Sequence, residues 1–110
     1  MTAKDAKEYL RRIKKIDTQL KNKNIELKQA QEVDADVSEI REAKKRLERE
    51  KSLIISSIES LPEAEYDVLH RVYVQGETLY EVASDMQKSY SYATKRHGWA
   101  LQALERIINK

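Results

Sequence analysis

The chain has 110 residues, 40% apolar and 36% charged, which suits one small helical domain with an extension better than an enzyme built around a large pocket. Cysteine is absent and no apolar run reaches signal-peptide or membrane length, so disulfides, secretion and membrane spanning have no support, and a soluble cytoplasmic protein is expected. A formal charge of +2 neither demands nor forbids a nucleic-acid partner.

Residues 1–60 hold no glycine, no proline, one aromatic residue, fifteen Lys/Arg and twelve Asp/Glu. Such a segment is helical or disordered, and apolar spacing selects the helix. Ala6, Tyr9, Ile13, Ile16, Leu20, Leu27 and Ala30 recur at intervals of three and four with one gap around Lys23. Thr2 can cap the start with Asp5 three residues on, and the pattern decays at Gln31-Glu32-Val33-Asp34, which predicts a break near Asp34. Asp36 with Glu39 makes a second capping pair, after which Val37, Ile40, Leu47, Ile54, Ile58 and Leu61 resume the stripe to about Ser60. Two helices of similar length with a short connection fold back as an antiparallel hairpin. Its few Ile and Leu offset little more than the entropy of ordering some sixty residues, so a second copy or the C-terminal half should complete the core. Dimerisation is the expectation.

Two charge features of this half have plain readings. Lysines at inner positions read as snorkelling side chains at a narrow seam, with a register-setting contact between chains as the alternative. The run Arg11-Arg12-Ile13-Lys14-Lys15 is interleaved with Glu8, Asp17 and Glu26, as on a solvated coiled-coil face, and phosphate contact is the lesser reading.

From Leu61 the texture changes. Pro62 suits a first helical position, Glu63 and Glu65 sit beside the positive helix end, and Leu69, Val72 and Tyr73 follow at helical spacing. Gly76 is suited to the residue just past a helix end. Thr78 and Glu81 form a capping box that opens a second helix, about Leu79 to Met86, with Val82, Ala83 and Met86 inward. Gln87-Lys88-Ser89 is a short turn, and Ser89 caps a third helix through Ala93, Trp99, Leu101 and Leu104. Short helices joined by a tight turn have the geometry of DNA-reading units. The side chains pointing outward from the third helix are Ser91, Tyr92, Thr94 and Lys95, with Tyr90 on its flank, and these are candidate base-reading residues.

Residues 61–87 carry one Arg against six acids, a net of −5, while 88–110 carry five bases against Glu105 alone, a net of +4. Lys88, Lys95, Arg96 and Arg106 are therefore candidate phosphate contacts, and Ser89 offers a helix end to a phosphate. The alternative for the outward polar residues is an ordinary solvated face, and for Tyr90, Tyr92 and Trp99 a packing or protein-partner surface. His70 and His97 read as packed or hydrogen-bonded, because two histidines without cysteine leave no credible metal set.

The stretches LPEAEYDVL, GETLYEVASDM and HGWALQAL resemble region four of bacterial sigma-70 factors over about forty residues. With the SYSY entry and the charged helical first half, the chain looks similar to the ArpU-like and RinA-like regulators of late gene transcription in phages and prophages. The resemblance implies DNA binding near a promoter in a bacterial host, with contact to RNA polymerase as a further expectation. The chain departs from the pattern at Gln87, where glycine is usual, and at Arg96, where an apolar residue is usual.

The expected architecture is all-α: a long, coiled-coil-like antiparallel hairpin over residues 1–60 for oligomerisation or partner docking, then a three-helix helix-turn-helix module over 61–110 for DNA binding. No nucleophile–base pair and no glycine-rich phosphate loop is recognisable, so an enzyme is not expected, and neither is a cofactor or metal. The expected partners are double-stranded DNA, RNA polymerase and a second copy of the chain, with no membrane contact. Competing readings are a small terminase subunit, a factor that needs polymerase to reach DNA, and a helical module that binds only protein through Glu63, Glu65, Asp67, Glu77, Glu81 and Asp85.

Overall fold

The computed structural model of the protein describes residues 3–109, all helices and connections with no strand among them. Helix α1 is Ala3–Glu32 and α2 is Ser38–Glu59. Helix α3, Glu63–Leu69, runs into a π-helical turn over His70–Val74; α4 is Leu79–Met86 and α5 is Tyr90–Ile108. The expected cap at Thr2 lies outside the described residues.

The chain reverses at Asp34, which takes a left-handed φ of 55° that aspartate tolerates better than most residues. The Ala35 N–H donates back to the Ala30 carbonyl at 2.9 Å and closes α1. Helix α2 begins one residue later than the capping pair at Asp36 and Glu39 predicts. Its cap position is Val37, and the Asp36 carboxylate instead accepts from the Ser38 N–H at 3.0 Å and the Ser38 hydroxyl at 2.7 Å. An aspartate turn has taken the place of the expected box.

Helices α1 and α2 lie antiparallel, and polar pairs flank their seam. Tyr9 meets Ser57 at 2.8 Å, the Arg12 guanidinium grips both Glu50 oxygens at 2.7 and 3.3 Å, and Lys51 reaches Asp17 at 2.6 Å. The buried core gathers Ala6, Leu10, Ile13 and Ile16 of α1, Ile54 and Ile58 of α2, Leu61, Leu69, and Ala100, Leu101 and Leu104 of α5. The C-terminal half therefore covers the first four turns of α1, and Leu10, outside the expected stripe, is buried in the core that the C-terminal half completes.

Past Ile16 no α1 side chain is fully buried. Leu20, Leu27, Ile40 and Leu47 are half-buried, and Ile25 and Val33 are 56% and 74% exposed. The result is an elongated body of 54 × 33 × 20 Å whose far end is a thin helix pair.

Pro62 caps α3 in an extended conformation, so the helix begins at Glu63, one residue later than expected. Helical hydrogen bonding then widens. The Gln75 N–H donates to the His70 carbonyl, five residues back, at 3.0 Å. One extra residue in this turn rotates the end of the helix and brings Tyr73 and Val74 against the core. Gly76 ends the turn at φ 77°, the left-handed conformation expected of it.

Candidate nucleic-acid interface

Capping fixes where α4 and α5 begin. The Thr78 hydroxyl accepts from the Glu81 N–H at 3.2 Å while the Glu81 carboxylate accepts from the Thr78 N–H at 3.0 Å, so the predicted box is formed. Gln87 ends α4 in the left-handed region at φ 57° and ψ 41°, the conformation for which a glycine is the usual choice. The Ser89 hydroxyl then accepts from the Tyr92 N–H at 3.0 Å and starts α5. Between the two helices only Gln87, Lys88 and Ser89 intervene.

Around α5 the side chains sort cleanly. Ala93, Ala100, Leu101 and Leu104 are buried. Lys88, Ser89, Tyr90, Ser91, Thr94 and Lys95 are exposed, so six of the eight expected contact residues face solvent at the turn and the first two turns of the helix. The Thr94 hydroxyl donates to the Tyr90 carbonyl at 2.9 Å.

Tyr92 and Arg96 are different. Arg96 lies half-buried with its guanidinium 3.1 Å from Glu65 of α3, 3.1 Å from the Tyr92 hydroxyl, and over the Tyr92 and Trp99 rings at 5.3 and 5.2 Å. Its Nε is buried without a hydrogen-bond partner. Hydrogen bonds to Tyr92 and Glu65 raise its already high pKa, so it is a fixed cation. The phosphate contact expected of Arg96 does not suit this placement: it occupies an inward position, with Glu65 as counter-ion, and joins α5 to α3. Tyr92 is held between Arg96 and the Lys88 ammonium, which sits 5.4 Å from its ring.

Three residues that sequence reasoning passed over belong to the same surface. Tyr80, 69% exposed at the start of α4, stacks on Tyr90 at the start of α5, with ring centroids 4.2 Å apart and planes 13° from parallel. Gly98 and Gln102 continue the line of Ser91 and Lys95 along α5, because steps of four, three and four residues stay on one helix face. A Cβ added at Gly98 would meet nothing within 4 Å. Packing within the chain thus gives no reason for a residue that costs a helix interior about 1 kcal/mol relative to alanine. The signal for it was present in the sequence: a glycine inside a strong helical pattern.

The acidic half of the module is organised around one cation. Arg71 contacts Asp67 at 3.0 Å, Asp85 at 3.1 Å and Glu77 at 3.5 Å, tying the π turn to α4. A hydrogen bond with Asp85 pushes the Glu77 carboxyl above its usual range. Glu63 and Glu81 remain exposed. Below α5, the Tyr73 hydroxyl and His97 Nε2 share a hydrogen bond of 2.9 Å, and the rings stack 5.7 Å apart. Burial raises the Tyr73 hydroxyl to about 12, while burial and then the charge of Lys7 lower His97. Among the described residues no helix is long and apolar enough to cross a membrane. Comparison of the chain with protein-family models, curated proteins and solved structures finds no match.

Proposed function

We propose that the protein binds duplex DNA, with α4 and α5 acting as a helix-turn-helix whose second helix enters the major groove. The observation that carries this reading is the outward line Ser91, Lys95, Gly98 and Gln102 on α5, with Thr94 beside it and a glycine that the chain's own packing does not need. Hydroxyl, ammonium and amide groups can each address base edges or phosphates, and a missing Cβ lets a partner's surface come close. The stacked Tyr80 and Tyr90 and the exposed Lys88 flank the start of that line, in a segment whose sequence carries +4. Lys88, Lys95 and Arg106 supply backbone contacts, and Ser89, already capping α5, presents a helix end to a phosphate.

In the wider role that the sigma-like resemblance implies, the protein regulates transcription of phage or prophage genes, and the hairpin of α1 and α2 pairs it with a second copy. The exposed Glu63 and Glu81, in a stretch of net −5, favour one further reading, in which this face meets RNA polymerase while α5 meets DNA.

The test is fluorescence anisotropy of a labelled duplex at about 50 and 200 mM salt, comparing wild type with a Ser91→Ala, Thr94→Ala, Lys95→Ala variant. Arg96 is left intact, because its removal strands Glu65. Binding that weakens with salt and falls at least about tenfold in the folded variant is the expected result. Equal binding by both proteins would remove α5 as the reading head, and binding seen only with polymerase present would select the second reading.

A further inference from the structure

The cations of helix α1 include a paired group and an unpaired stripe, with Arg11 at their border. On the side facing α2 and along its flank, acids are taken up: Glu50 by Arg12 at 2.7 Å, Asp17 by Lys51 at 2.6 Å, Glu26 by Lys23 at 3.2 Å and Glu8 by Arg11 at 3.4 Å. The acids that interleave with the basic run in sequence are therefore engaged by neighbours. Lys7, Lys14, Lys21 and Lys28 make no ion pair among the described residues. Their spacing of seven keeps them on one face of the helix, and Arg11 lies on the same stripe. From Lys7 to Lys28 the stripe is about 32 Å long at 1.5 Å per residue.

The stripe leads toward α4. Lys7, Arg11 and Lys14 form one wall of an open cleft of about 570 Å³ whose opposite wall includes Gly76, Leu79 and His97. Leu79 opens α4, and the next residue is Tyr80, stacked on Tyr90 of α5. Unpaired ammonium groups, the start of α4 and the start of α5 thus succeed one another across the surface.

We infer that the lysine stripe of α1 is a second contact for duplex DNA, following the phosphate backbone beside the groove that α5 enters. The inference rests on the DNA-binding reading of α5. Its chemistry is different, however: lysine on a flexible stem meets phosphate as a point charge without a fixed hydrogen-bonding plane, so this contact adds affinity and not sequence preference. The stripe's length approaches the ~34 Å of one duplex turn, and a straight helix beside a curved backbone meets two or three phosphates over that span. The surface most complementary to it within the protein is the acidic face of α3 and α4 on a second copy, which is the competing occupant.

The experiment measures binding of the full chain to a labelled mixed-sequence duplex of about 30 base pairs over about 50–200 mM salt. A Lys14→Gln, Lys21→Gln, Lys28→Gln variant is compared with wild type and with the Ser91, Thr94 and Lys95 alanine variant. Loss of two phosphate contacts lowers the slope of log affinity against log salt by about two, with an unchanged melting curve, since these lysines are exposed. A stripe variant with the wild-type slope overturns the inference and leaves α5 as the reading head. Loss in the stripe variant with none in the α5 variant sustains the stripe and overturns α5. No binding by wild type overturns both. Salt-sensitive self-association that the lysine substitutions abolish overturns the stripe alone and assigns it to the acidic face of a second copy.

Discussion

His97, half-buried, makes the stability of the fold depend on pH. Its hydrogen bond to Tyr73 is kept in a desolvated place beside Lys7, and both influences hold its pKa below the ordinary 6.5. The unfolded chain therefore takes up a proton before the folded one does, so stability is full above about pH 6.5 and declines as pH falls from there toward the lowered folded value. Replacing His97 with Gln removes that proton uptake. Urea midpoints measured between about pH 7 and pH 5 should fall for wild type and change less for H97Q; parallel curves would show that His97 does not cause the dependence. Gly98, its neighbour, faces the other way. Gly98→Ala should raise stability by about 0.5–1 kcal/mol, because the new methyl meets open space and the helix gains propensity. The same methyl should weaken DNA binding if α5 lies in a groove. A variant both more stable and equally able to bind DNA would mean that Gly98 lies off the contact.

At the scale of elements, the caps of the second half were the most legible part of the sequence. Thr78 with Glu81, and Ser89 with the N–H of Tyr92, rest on local hydrogen bonds that need no knowledge of the rest of the chain. The left-handed Gly76 was legible for the same reason. Three features were not. The π turn at His70–Val74 leaves no propensity signal, since one widened hydrogen bond, Gln75 N–H to the His70 carbonyl, defines it. Arg96 reads as an outward cation until Glu65, thirty-one residues earlier, is brought beside it. Leu10 falls outside a two-helix stripe because the core it joins draws in residues of the C-terminal half. Long-range partners decided the last two. The far half of the hairpin offers the cleanest element-level test, since Leu47 is half-buried between thinly packed helices. Leu47→Asp places a carboxylate in that seam and should cost about 1–3 kcal/mol, visible as a lowered melting temperature. An unchanged melting curve and unchanged native mass would mean that this seam contributes neither to the fold nor to assembly.

At the scale of the whole molecule, the two halves share a core at one end and part company at the other. Ala6, Leu10, Ile13 and Ile16 lie under Ala100, Leu101 and Leu104, whereas Ile25 and Val33 stand in solvent at the tip of the hairpin. A free-standing pair of helices with so little buried between them is poorly stable by itself, which is why the root of α1 is the firm part and the tip the yielding one. Leu53, 69% exposed on α2, adds a further apolar site on the hairpin's outer side. The same arrangement makes the hairpin a lever with its fulcrum beneath α5, in a body 54 Å long. The tip and α5 communicate only through the core they share at the root of α1. Any effect that a partner at the tip has on binding at α5 must be returned by the same factor from α5 to the tip, because coupling free energy runs equally in both directions.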